Sequence, residues 1–305
     1  MSLTVREKYL WNKMADEIGD FWPGKTLHVV PGASATHFAF VSTRHKNVYT
    51  SVSGALGDAV ASRGDVIFIY PGTHTFTASL AMSKAGVSLL NAAWLYPNLL
   101  GEQAILDMTG TADELINITA ANCKFMGLTF IGTTAQKCID FDSASHNTLF
   151  KNCSWDMFTP TVSTSTKGLV ALGAAKNLVV DGCGVESDGA QGNWIDATGT
   201  LQALIDNCKV NHTLGTWASV ILTGAATKGL LVRGSDFDSY GTAVTVGING
   251  TGANAASGVA VSYCNFGNLY TVPVDNYDAA ECELNECYKR GVGAADGGAK
   301  ITAIT

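Results

Sequence analysis

The chain has 305 residues, 47% of them hydrophobic and only 15% charged, against roughly 25% charged in an average globular domain. Its net charge of −7 leaves 19 Lys and Arg scattered among 26 Asp and Glu, without the basic face that a nucleic-acid partner requires. No run of about 18 apolar residues is present to span a membrane, and 33 glycines punctuating short apolar runs favour β-structure over helix bundles.

In chain order, the first predicted element is a helix over 4-TVREKYLWNKMADEIGDFW-22. Thr4 and Glu7 fit a capping box, and Leu10, Trp11, Met14, Ile18 and Phe21 line one helical stripe. Gly19 and Pro23-Gly24 mark its end. The segment is charged and lacks an apolar core, so it is not read as a secretory signal. It is expected to plug an open end of the main domain, to dock on a partner, or both. Residues 1–46 are therefore read as a capping and docking segment, and 47–305 as that main domain.

Next comes a short predicted helix from Val52 to Ala61, then Gly64-Asp65, the apolar strand 66-VIFIY-70 and Pro71-Gly72-Thr73-His74-Thr75. After it one phrase recurs: 148-TLFKNCSW-155, 178-LVVDGCGV-185, 203-ALIDNCKV-210, 230-LLVRGSDF-237, 259-VAVSYCNF-266 and the weaker 282-CELNECYK-289. Its marker residues Cys153, Cys183, Cys208, Ser235, Cys264 and Cys287 fall 30, 25, 27, 29 and 23 residues apart. An irregular period in the twenties, with short strands in each unit, is the signature of a solenoid. In 123-CKFMGLTF-130, Leu128 takes the marker position of an earlier rung. A second strand precedes each phrase, as in 138-CIDFDS-143 and 218-ASVILTG-224. Four of the six residues before the markers, Asn152, Gly182, Asn207 and Gly234, are types that tolerate a left-handed bend, predicting one corner per coil. The markers themselves are expected to point inward as free, buried thiols.

Outward positions of stacked coils become neighbours. Two residues before the markers stand Lys151, Asp181, Asp206, Arg233, Ser262 and Asn285; after them come Lys209, Asp236 and Asn265, then Asp156, Glu186 and Asp238. Asp181, Asp206, Asp236 and Asp238 gathered around Arg233 would be the candidate catalytic residues of an enzyme, since paired carboxylates about 5–10 Å apart suit glycoside hydrolysis. The competing reading is a solvated ladder of mixed charge. No zinc-type cysteine pairing is present, and Gly250-Thr251-Gly252 lacks the helix and third glycine of a dinucleotide loop. No metal or cofactor is therefore expected.

The segment 47–92 together with the cornered coils resembles the opening of pectin-lyase-like right-handed parallel β-helices, where a short helix precedes a Gly-Asp, a strand and a Pro-Gly turn. The resemblance implies an all-β, single-stranded right-handed parallel β-helix of nine or ten coils with an N-terminal capping α-helix. The Gly-His-Gly and Arg-Ile-Lys segments of its polygalacturonases are missing, so no catalytic residue of that group carries over. What the resemblance implies instead is its bacteriophage branch: a capsid decoration (cement) protein on the virion surface, made in the host cytoplasm, homotrimeric and bound to the major capsid protein. The alternative is a polysaccharide lyase or hydrolase of the tail-spike kind acting on host glycans. A third reading, a glycan-binding adhesin, would use Trp194 and Trp217 as aromatic contacts.

Overall fold

The structure, a computed structural model, describes residues 24–32, 41–43, 45–94, 102–110, 113–132, 137–142, 144–157, 167–170, 176–187, 193–212, 219–224, 227–239, 244–251, 258–267, 270–275, 282–289 and 299–300. These residues wind into a parallel β-solenoid of three sheets, here A, B and C, with 11, 10 and 8 strands. Each full coil contributes one strand to each. Thus Lys176–Asp181 belongs to sheet A, Gly184–Ser187 to B and Ile195–Asp196 to C, before Leu201–Asp206 returns to A. One antiparallel pairing, Tyr288–Lys289 with Ala299–Lys300, lies at the C-terminal edge of sheet B.

The recurring phrase is therefore two strands rather than one. The residue before the marker has a left-handed backbone at every corner from sheet A to sheet B, with φ of 50° at Asn152, 61° at Gly182, 50° at Asn207, 58° at Gly234, 53° at Tyr263 and 50° at Glu286. Tyr263 and Glu286 show that the stacking of corners imposes this conformation even on residues that disfavour it. A second left-handed series, at Asn122, Asn147, Asn177, Gln202, Gly229 and Gly258, turns the chain into sheet A, so each coil has two such corners instead of one. Its asparagines bond along the stack: Asn147 Nδ2 donates to Asn122 Oδ1 at 3.0 Å, and Asn177 Nδ2 to Asn147 Oδ1 at 2.7 Å.

The markers point inward and are buried, and the seven cysteines whose side chains are described are free. They are more than small apolar plugs. Each marker donates to the carbonyl two residues back, across the corner: Cys183 to Asp181 at 3.3 Å, Cys208 to Asp206 at 3.1 Å, Ser235 to Arg233 at 2.9 Å and Cys264 to Ser262 at 3.3 Å. Some also accept from the coil below, as Cys183 Sγ does from Cys153 N at 3.4 Å and Ser235 Oγ from Cys208 N at 3.1 Å. Serine replaces cysteine at 235 because a hydroxyl performs both tasks. Burial pushes the Cys123, Cys138 and Cys208 thiols up to about 12, which keeps them protonated donors at neutral pH.

Aromatic rings fill the interior, with Phe125 stacked on Phe150 at 4.7 Å and Phe237 on Phe266 at 4.9 Å. Between Trp155 and Trp194 the backbone passes so closely that a Cβ on Gly168 would lie 2.6 Å from Trp194 O, and Trp155 Nε1 donates to Gly168 O at 3.1 Å.

The N-terminal end is plugged by helix α1 (Val52–Asp58), whose N-cap Ser51 accepts from Gly54 N at 3.1 Å and whose Val52, Ala55 and Leu56 join the core. Asp65 fixes the turn after it. Its buried carboxylate accepts from Lys25 N and Val60 N, both at 2.7 Å, and from Arg63 Nε at 2.6 Å and Nη2 at 2.5 Å. Burial opposes the charged form, but these donors outweigh it and hold the carboxyl below the usual range. The expected stripe Leu10, Trp11, Met14, Ile18 and Phe21 lies outside the described residues. Thr26–Val29 already pairs with Val66–Ile69, so sheet A reaches back across the expected 46/47 division.

Candidate functional site

Strand register places the charged residues in rows along the solenoid axis. On the outer face of sheet A, Lys151, Asp181, Asp206, Arg233, Ser262 and Asn285 are successive neighbours, as expected from the repeat. The row pairs with itself: Arg233 Nη2 lies 2.6 Å from Asp206 Oδ2, and Lys151 Nζ 3.5 Å from Asp181 Oδ2. The hydrogen bond and charge of Asp206, with Asp181 beyond it, push the Arg233 guanidinium further up. This arrangement is the neutralising ladder.

On sheet B two more outward rows form: Ser154, Gly184, Lys209, Asp236 and Asn265, and beside it Asp156, Glu186, Asn211 and Asp238. The candidates thus fall on two faces. Asp181, Asp206 and Arg233 stand on sheet A, and Asp236 and Asp238 on sheet B, because the left-handed corner turns the chain between them. A single cluster around Arg233 is not what the fold builds.

The sheet B rows border a groove of about 230 Å³, lined among others by Thr129, Ser154, Asp156, Glu186, Lys209 and Asn211. Asp156 and Glu186 are registered on adjacent rungs, which spaces their backbones about 4.8 Å apart. Thr129 Oγ1 and Ser154 Oγ are 2.9 Å apart in the groove wall. Asn211 Oδ1 is shut off from water and meets no donor. Thr129 and Asn211 escaped the sequence reading, which followed charge. Their signal lay in position, since Thr129 is one residue after the marker-equivalent Leu128, and Asn211 occupies the rung between Glu186 and Asp238.

A larger cavity of about 440 Å³ lies at the N-terminal end among Ser and Thr hydroxyls of 50–53 and 73–79. Its His74 is buried, with Nε2 hydrogen-bonded to Tyr70 O over 2.9 Å, and burial pulls its pKa down. Trp194, expected as a surface aromatic, is fully buried in the core, and Trp217 lies outside the described residues. Among the described residues, the exposed aromatic is Tyr263, at 62%. Among them too, no group of three His, Cys, Asp or Glu stands together to hold a metal, and no helix is long and apolar enough to cross a membrane.

No family model matches the sequence, and no curated protein matches it. Solved structures do match in fold. A pectin methylesterase variant in complex with a hexasaccharide is similar with a TM-score of 0.60 at 13% identity, over 91% of this chain and 93% of that one. The pectin methylesterase PemA from Erwinia chrysanthemi follows with 0.56 at 12%, over 91% and 93%. A rhamnogalacturonan lyase gives 0.53 at 11%, over 92% and 90%. The chain therefore has the right-handed parallel β-helix fold of pectin-lyase-like proteins.

Proposed function

We propose that the protein acts on a polysaccharide held along the outer face of sheet B. The observation that carries this reading is the groove itself, which sets two carboxylates on adjacent rungs amid hydroxyl, amide and ammonium groups. An extended glycan advances by about one sugar per rung spacing, so successive rings would meet successive coils. In the chemistry assigned here, one carboxyl of the Asp156–Glu186 pair delivers a proton to the glycosidic oxygen. The other attacks the anomeric carbon, and water then releases the sugar; that retaining course needs carboxyl groups about 5–5.5 Å apart, and adjacent rungs set the two backbones about 4.8 Å apart. The fold likeness to polysaccharide-acting enzymes supports the same choice over a purely structural role. Asp156→Asn and Glu186→Gln are each expected to lower the rate of reducing-end release by about 10²-fold or more on whichever polymer of a polysaccharide panel is cleaved. Wild-type rates in both variants, or no cleavage of any polymer, would sink the reading.

A second reading keeps the virion decoration protein, a homotrimer seated on a major capsid protein. One observation favours it: Leu149, Val179, Leu204, Leu231 and Ala260 form a half-buried apolar row on the outer face of sheet A, suited to side-by-side packing. Its test is the copy number in purified particles, where abundance matching the coat protein would favour decoration and absence would end it.

A further inference from the structure

We infer that the edge of sheet B at the N-terminal end of the solenoid is a docking site for an extended, uncharged peptide segment of a partner protein, which adds there as one more β-strand. The site is separate from the sheet B groove of the proposed function and does not depend on it.

The three sheets end differently here. Sheet A is carried beyond Val66–Ile69 by Thr26–Val29 and Val48–Tyr49. The first sheet C strand, Leu80–Met82, runs toward helix α1, and Lys84 just after it donates to Gly57 O and Ala59 O, both at 2.6 Å. Sheet B stops, among the described residues, at Gly72–Phe76, which pairs with Ala104–Met108 on one side only. At its opposite end the same sheet is closed by the antiparallel strand Ala299–Lys300.

The backbone bonds show which groups the open edge presents. Gly72 N donates to Gln103 O and Phe76 O accepts from Thr109 N, both at 2.9 Å, so Gly72, His74 and Phe76 face the paired side. Thr73 and Thr75, both exposed, therefore turn their N–H and C=O groups to the open side. Among the described residues nothing pairs with those four groups. Edge strands are ordinarily blunted by Lys or Pro, and the stretch GTHTF carries neither.

The cavity of about 440 Å³ lies on this edge, bordered by every residue from 73 to 79 and by Gly32 and residues 50–53. Its chemistry selects the occupant. The donor–acceptor pairs of Thr73 and Thr75 repeat at about 6.6 Å, the two-residue repeat of another strand. Strand addition uses such main-chain pairs for affinity and the flanking surface for specificity. No Asp, Glu, Lys or Arg borders the cavity, so a charged peptide side chain would lose water there without gaining a partner. Small hydroxyl-bearing or aliphatic side chains fit a lining of Ser, Thr, Ala and Val.

The test is titration of the full chain with a blocked hexapeptide of alternating Thr and Val, followed by binding calorimetry and amide hydrogen exchange. The peptide is expected to bind and to slow exchange at the Thr73 and Thr75 amides about tenfold or more. The same peptide N-methylated at alternate residues keeps its side chains but loses the edge bonds, and should bind about tenfold more weakly or worse. Thr75→Pro removes an edge donor that lies outside the ladder, where proline is tolerated, and should abolish binding with little change in melting. Thr75→Val keeps the backbone and should bind as the parent does. Equal binding of the N-methylated peptide, protection that appears elsewhere, or no binding at all overturns the inference. So does a concentration-dependent dimer that Thr75→Pro disperses, which gives the edge to a second copy of this chain, or protection of these amides by a neutral glucan oligomer in place of the peptide.

Discussion

Tyr263 is the residue that departs furthest from its corner. Six other described rungs place Asn, Gly or Glu in the left-handed position, whereas here a bulky aromatic holds φ of 53° with its side chain largely in solvent. Such a backbone disfavours a residue of this kind by about 1 kcal/mol, so Tyr263→Asn is expected to raise stability by a similar or smaller amount in urea unfolding. A loss of stability would mean that the ring packs on something essential. The neighbouring markers answer to hydrogen bonding. Cys208→Ser should stay within about 1 kcal/mol of the parent, as Ser235 does the same work one rung on, while Cys208→Ala should cost about 1–2 kcal/mol through the lost bonds; equal effects in melts of both variants would contradict that role. His28 contributes to the acid limb. Burial first, and the stacked His45 ring 3.7 Å away second, pull its pKa down to about 3, and its Nε2 meets no partner. The unfolded chain binds this proton near pH 6.5 and the folded one near 3. The stabilising neutrality is therefore complete above about pH 6.5 and is lost as pH falls toward 3, by at most about 1.4 kcal/mol per unit. Unfolding midpoints measured from about pH 7 to pH 4 should show that slope, and His28→Leu should flatten it; an unchanged slope in the variant would assign the acid sensitivity elsewhere.

At the scale of elements, the period of the marker was enough to place the charged outward rows, because stacking in register leaves little freedom once the corner residue is known. The Lys151–Asp181–Asp206–Arg233 row could be written down from spacing alone. What spacing could not convey was direction. The phrase reads as one alternating strand, and only the backbone shows that the residue before the marker turns it onto a second sheet, which parts Asp206 from Asp236. The second corner was equally visible in principle: Asn122, Asn147, Asn177, Gln202, Gly229 and Gly258 each precede the first corner residue by five positions, but Gln202 and the glycines disguise the asparagine ladder. Trp194 was misplaced for a related reason. The strand Ile195–Asp196 is too short to reveal its inward face by alternation, and the ring closes on Trp155 at 5.8 Å inside the core. Gly168 follows from that packing. Gly168→Ala would drive a methyl into Trp194 O and should cost about 1–3 kcal/mol, read as a lowered denaturation midpoint; a neutral outcome would show that the Trp155–Trp194 layer can shift.

For the whole molecule, the solenoid acts as a ruler. Its sheets supply long faces with different chemistry: an apolar row beside a self-paired ladder on sheet A, and an acidic, amide- and hydroxyl-bearing groove on sheet B. Helix α1 closes one end. The likeness to polysaccharide-acting enzymes concerns this frame, and in the proposed function the side chains on sheet B would decide what it holds. The central claim is therefore a matter of place. The most direct measurement is a crystal structure of the protein soaked with the oligosaccharide that it binds best. Sugar rings lying along sheet B, between Ser154 and Asn211 and within hydrogen-bonding reach of Asp156 and Glu186, are the result this account predicts. Rings seated on sheet A or sheet C, with the sheet B groove empty, would contradict it.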